Sequence, residues 1–146
     1  MELKNQIALI SGGLGDIGRA IAHELASCGA DIAIGDIKEE NEAARFVALL
    51  RELGRKVVYT KVDVSDPKSV DDWISSIANE LGVPTLIIPN AAVVKISNIR
   101  QINVEDWDQQ LSVNLNGCFY MSRAAANKLV EKKMKGHIIY IGSWAA

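Results

Sequence analysis

An α/β fold built on a parallel sheet is the class this sequence predicts, and three observations carry it. Strand-like and helix-like patterns alternate from one end to the other, which is the signature of βαβ units. The strand candidates are short continuous apolar runs, as expected of strands buried on both faces. A glycine-rich turn, Ser11-Gly12-Gly13-Leu14-Gly15-Asp16-Ile17-Gly18, joins the first strand directly to the first helix. Right-handed crossovers leave few topologies. The order 3-2-1-4-5 puts that turn at the switch point, where ligands bind in such sheets. No repeat, low-complexity tract or linker interrupts the pattern, so residues 1–146 are expected to form one domain.

Residues 7–10 form the first strand. Ile17, Ile21, Leu25 and Cys28 then recur at helical spacing, and Gly29 stops that helix. Residues 32–34 are the second strand, ending at Gly35-Asp36. The second helix covers 38–53, with Ala43, Phe46, Leu50 and Leu53 inward and Gly54 at its end. Residues 56–62 are the third strand. Ser65-Asp66-Pro67 reads as a cap followed by proline in the first turn. The helix it opens turns Val70, Trp73, Ile74, Ile77 and Leu81 inward and stops at Gly82. Residues 85–88 are the fourth strand. Asn103 and Asp106 make a capping-box-like start to a long fourth helix. Its inner face is Trp107, Leu111, Leu115, Cys118, Ser122, Ala125 and Leu129, and Gly136 ends it. Residues 137–141 are the fifth strand. Gly142-Ser143-Trp144-Ala145-Ala146 follow with no helix over the last crossover, so the sheet is expected to end on an apolar edge, truncated after strand five.

Composition narrows the function classes. Apolar residues at 49% and charged residues at 23% suit a globular chain with a real core. A net charge of −2 gives no reason to expect nucleic acid or an anionic membrane as partner. No apolar run reaches the ~20 residues of a membrane span, and residues 1–5 lack the apolar stretch of a signal peptide. Cys28 and Cys118 both fall in helical patterns, which suits a reducing compartment. A cytoplasmic location is therefore expected. His23 and His137 have no metal-ligand spacing with another His or Cys, so no metal is expected.

The turn carries the chemistry. Gly13, Gly15 and Gly18 fit G-x-G-x-x-G between a strand and a helix, with Asp36 at the tip of the next strand. Glycines let the backbone turn tightly and approach a pyrophosphate. The helix behind them offers unpaired N–H groups and the positive end of its dipole. Asp36 is placed to accept hydrogen bonds from adenosine ribose hydroxyls and to repel a 2′-phosphate, and neither Leu14 nor Ile37 supplies a cation for that phosphate. The motif therefore points to NAD, with NADP disfavoured.

These residues resemble the short-chain dehydrogenase/reductase family, over the whole chain. The family's T-G-x-x-x-G-x-G turn lines up with Ser11, Gly12, Asp16 and Gly18, and the variant T-G-G-x-G-x-I-G matches Ser11 to Gly18, including Ile17. Asp16 replaces the middle glycine, and a carboxylate there repels a pyrophosphate unless it turns away, as a helix cap would. Asp63-Val64 looks like the family's pair after strand three, where the aspartate receives the adenine amine. Pro89-Asn90-Ala91-Ala92 is a partial match to N-N-A-G. Asn114, in Val113-Asn114-Leu115-Asn116-Gly117, is similar to the asparagine of N-V-N-x-x-G, which kinks its helix and holds a water of the proton relay. Ser143 looks like the catalytic serine.

The resemblance implies a Rossmann-like three-layer fold and an NAD-dependent oxidoreductase acting on an alcohol/ketone pair, as a homo-oligomer. Its cofactor contacts would come from Ser11, Gly12, Gly15, Asp16, Ile17, Gly18, Asp36, Ile37, Asp63, Val64, Asn90 and Ala91. The family's base is the tyrosine of Y-x-x-x-K beyond the serine. Tyr59, Tyr120 and Tyr140 are followed four positions later by Asp63, Ala124 and Trp144, so these 146 residues hold no such pair. Two other readings stay open: a catalytically inactive nucleotide-binding or interaction module, and an extended-type relative such as a sugar-nucleotide epimerase, since T-G-x-x-G-x-x-G fits Ser11, Gly12, Gly15 and Gly18. The asparagine pattern argues against the last.

Overall fold

A computed structural model describes residues 2–143; Trp144 lies outside the described residues. Five parallel strands, β1 (Ile7–Ser11), β2 (Asp31–Asp36), β3 (Val57–Lys61), β4 (Leu86–Ile88) and β5 (His137–Ile138), stand in the order β3-β2-β1-β4-β5. Helices α1 (Asp16–Ser27) and α2 (Glu40–Glu52) cover one face, and α3 (Pro67–Glu80) and α5 (Gly117–Glu131) the other. Alternate residues of a strand feed opposite cores. Ala8, Ile10, Ile32 and Ile34 meet Ala22, Phe46 and Leu50. Leu9, Ala33 and Ile87 meet Trp73, Ile74 and Met121. Two-sided burial is why these strands read as unbroken apolar runs.

Four details depart from the sequence pattern, each for a local reason. Helix α1 buries Gly18, Ala22 and Ala26, small residues that let it lie close on the sheet, while Ile17 is 59% exposed. Leu53 lies past the end of α2 and is exposed. The long fourth helix is three pieces: α4 (Val104–Leu111), a π segment (Ser112–Asn116) and α5. The π turn takes up one extra residue, which rotates the helix before it by about 100°. Trp107, Leu111 and Leu115 therefore face outward, although Ala125 and Leu129 are buried as the pattern predicts. Finally, Gly29, Gly54 and Gly82 take positive φ at the ends of α1, α2 and α3, but Lys133 does so after α5, ahead of Gly136.

Strand β5 is shorter than 137–141. Ile139 N–H still donates to Ile87 O at 2.8 Å. The next donor of the parallel ladder would be residue 89, a proline without an N–H, so pairing stops there. Ile139 and Ile141 are left exposed on the sheet edge.

Candidate functional site

The site is built from the carboxyl ends of β1, β2, β3 and β4. Buried Ser11 ends β1, and its Oγ accepts the amides of Asn90 (3.0 Å) and Ala91 (3.1 Å). Asn90 Nδ2 returns donors to Ser11 O (3.0 Å) and Gly12 O (3.2 Å). The ends of β1 and β4 are thus laced together. Gly12 sits at φ +62°, and a Cβ on it would fall 2.7 Å from Ala91 Cα. Only glycine serves there. Arg19 Nε donates to Leu14 O at 2.9 Å while its guanidinium lies over the Phe46 ring, which braces the turn from behind.

Asp36 is 9% exposed, and its carboxylate accepts Leu14 N (2.9 Å) and Lys38 N (3.4 Å). It therefore ties the glycine turn to the loop after β2. Tyr59 O–H donates to Lys38 O at 2.6 Å. Burial and the nearby Asp36 charge push this phenol up to about 12, so it stays a donor.

These ends enclose a cavity of about 890 Å³, at the upper end of the range for small-molecule sites. Gly12, Gly15, Asp16, Ile17 and Gly18 line it from the turn, Asp36 and Ile37 from β2, Asp63 and Val64 from the loop after β3, and Asn90 and Ala91 from the loop after β4. Gly15 caps α1 without a side chain, and the first helical bond is Arg19 N to Gly15 O (2.8 Å). The amides of Asp16, Ile17 and Gly18 are left without an intrahelical acceptor at the cavity edge. Asp16 does not cap the helix as the sequence suggested; among the described residues its carboxylate has no hydrogen bond or ion pair. Asp63 does two things at once: it lines the cavity, and its Oδ1 accepts Ser65 N (2.9 Å) and Ser65 Oγ (2.7 Å).

Three expected site residues stand off the wall. Ser11 acts beneath it through the lacing above. Ser143, exposed, lies beyond β5. Asn114 lies in the π segment, where its Oδ1 accepts Val93 N and its Nδ2 donates to Val93 O, both at 2.8 Å. One turn earlier Gln110 Oε1 accepts Lys95 N (3.0 Å), and Asp106 pairs with the Lys95 ammonium. Residues 93–95 are thereby held along the helix like a strand on a sheet edge. The far wall, Asp108, Gln109, Ser112 and Val113, was not foreseen. It comes from the helix rotated at the π segment, where the Asn114 motif implies a kink without saying which residues it turns to the cavity. Lys38 and Ser65 also line the cavity, each next to a foreseen residue.

The model of the short chain dehydrogenase family matches residues 6–146. This chain belongs to that family. It is 34% identical over 143 residues to L-2,3-butanediol dehydrogenase of Corynebacterium glutamicum, covering 97% of this chain and 55% of that one. It is 30% identical over 145 residues to galactitol 2-dehydrogenase of Agrobacterium fabrum, covering 99% and 55%. The crystal structure of a short-chain type dehydrogenase/reductase from Mycobacterium marinum superposes with a TM-score of 0.92 at 25% identity, covering 97% of this chain and 56% of that one. The chain spans about half the length of the curated relatives it matches. Among the described residues no helix is long and apolar enough to cross a membrane.

Proposed function

We propose that the cavity binds a nicotinamide adenine dinucleotide, NAD in preference to NADP, for an oxidoreductase acting on an alcohol/ketone pair. One observation carries this reading. An uncapped helix end and a buried, amide-held carboxylate, Asp36, converge on one cavity of suitable size. The donor set fits the group. Amides at Asp16, Ile17 and Gly18, without intrahelical acceptors, suit a diphosphate. Asp36 has lone pairs left for a ribose diol, and Asp63 for an adenine amine. Gly12, Gly15, Ile37, Val64, Asn90 and Ala91 supply backbone and apolar wall. When bound, the dinucleotide supplies hydride transfer. Ser11 holds the wall in place rather than touching the ligand. Ser143 orients the reacting oxygen, and Asn114 positions a relay water from the π segment. The relatives named for butanediol and galactitol support a secondary alcohol as substrate.

Four carboxylates on the described wall, Asp16, Asp36, Asp63 and Asp108, face one cation, Lys38, which supports NAD over a 2′-phosphorylated dinucleotide. The outward stripe of Trp107, Leu111, Leu115 and Phe119 supports self-association.

Calorimetric titration with NAD+, NADH and NADP+ tests the reading. Saturable binding of NAD+ and NADH, at least about tenfold tighter than NADP+, is expected. A folded sample that ignores NAD+ and NADH alike would falsify it. Turnover by these 146 residues at a rate ordinary for dehydrogenases would refute the assignment of proton transfer to a Tyr/Lys pair.

A further inference from the structure

We infer that Asp16 is a specificity-determining residue that ranks dinucleotides by their negative charge; this rests on the cofactor reading above. The four carboxylates of the wall are not equivalent. Asp36 is held by two amides, and Asp63 by the amide and hydroxyl of Ser65. Both have structural duties in the loops they organise. Asp108 stands across the cavity on α4. Asp16 alone is carried on the first turn of α1, beside the amides that face the cavity, exposed and with no partner among the described residues. The helix end that attracts a diphosphate therefore carries its own fixed negative charge.

Opposing effects act at that one place. The amides and the dipole favour an anion. The carboxylate disfavours it, and more so the more negative the ligand is. NADH has one more negative charge than NAD+, because the pyridinium cation is lost on reduction, and NADPH has more still. A free carboxylate on the same cavity wall, acting through solvent on charges at the nicotinamide and the 2′-position, changes affinity by about twofold to fivefold per unit of ligand charge. Salt weakens the effect, since the group is exposed. The cavity is thus biased toward the oxidised, unphosphorylated form. Favourable placement of Asp16 at a helix N-terminus would by itself explain only helix stability, and it would not rank ligands.

The test is calorimetric titration of NAD+, NADH and NADPH into the wild-type chain, Asp16→Asn, Asp16→Gly and Glu52→Gln, at low and high salt. Glu52 is the last residue of α2, exposed at the opposite end of the sheet, and controls for net charge. Both Asp16 variants are expected to bind all three ligands more tightly. The gain should rise in the order NAD+, NADH, NADPH, the NADH-to-NAD+ affinity ratio should change by about twofold to fivefold, and high salt should shrink the change. Glu52→Gln should leave the ratio where it was. Variants that bind with the wild-type ratio overturn the inference and leave the cofactor reading standing. A wild-type chain that binds no dinucleotide overturns both.

Discussion

Replacing Gly18 by alanine separates two glycines that the motif treats alike. A Cβ on Gly18 would stand 2.7 Å from Gly13 Cα, 3.1 Å from Asn90 Nδ2 and closer still to Gly12 O. The two tightest neighbours are backbone, so no rotamer change relieves them. The turn would have to open by about 1 Å, at the upper end of the ~1–3 kcal/mol range for overpacking. Gly18 is in a helix, so alanine returns about 1 kcal/mol of propensity. The net expectation is a loss of about 2 kcal/mol, or a fall in Tm of roughly 5–8 °C for a chain of this size. Gly15 is different. Its φ is −76°, and its Cβ would meet only Gly12 O, at 3.4 Å. Gly15→Ala should cost no more than about 1 kcal/mol, from the weaker helix cap. Urea unfolding of both variants followed by circular dichroism measures the contrast. Equal stabilities, or a Gly18→Ala chain within about 0.5 kcal/mol of wild type, would refute the claim that backbone closeness rather than ligand approach dictates Gly18.

Ser11→Ala should cost about 1–3 kcal/mol in urea unfolding, because it strands the amides of Asn90 and Ala91, and Ser11→Thr should recover most of it. Asp66→Ala should cost about 0.5–2 kcal/mol, since Asp66 caps α3 by accepting Lys68 N at 2.9 Å; an unchanged unfolding midpoint would count against that cap. Tyr59 titrates at about 12 when folded against 10.0 when free, so the folded state holds the proton more tightly. Its contribution should be intact below pH 10 and lost as pH climbs toward 12. Tyr59→Phe should flatten that decline, which unfolding midpoints read across the alkaline range will show. Burial raises the Cys118 thiol pKa, so its alkylation near pH 8 should be slow in the folded chain and speed up on unfolding.

The sheet was legible because its strands are buried on both faces, and such strands declare themselves as apolar runs with glycines between. Gly29, Gly54 and Gly82 marked helix ends because each takes a positive φ that other residues avoid. The turn was legible for the same reason: backbone geometry selects residue type. Legibility failed where the geometry depends on contacts distant in sequence. The resemblance at Asn114 implies a kink in this helix but not its form, and one extra residue in the π segment there turns Trp107 and Leu111 from core candidates into surface. The far wall of the cavity, which α4 and the π segment supply, was lost with it. Strand β5 ended early because of Pro89 on its neighbour, a pairing effect that no single-strand pattern contains.

The π segment also explains how one helix serves two surfaces at once. With regular α-helical winding, the stripe of Trp107 and Leu111 would continue the buried face of α5. The polar residues Asp106 and Gln110 would then be turned away from residues 93–95. With the extra residue, Asp106, Gln110 and Asn114 all reach that segment, and Val93, held at both N–H and C=O, lines the cavity. On the next turn Gly117 is buried against Val64, where a Cβ would lie 2.9 Å from Val64 Cγ2. A larger residue there would push Val64, another wall residue, into the cavity. The helix thus sets the wall at two points, through hydrogen bonds at Val93 and through lack of a side chain at Val64. Its exposed apolar stripe remains available for a partner.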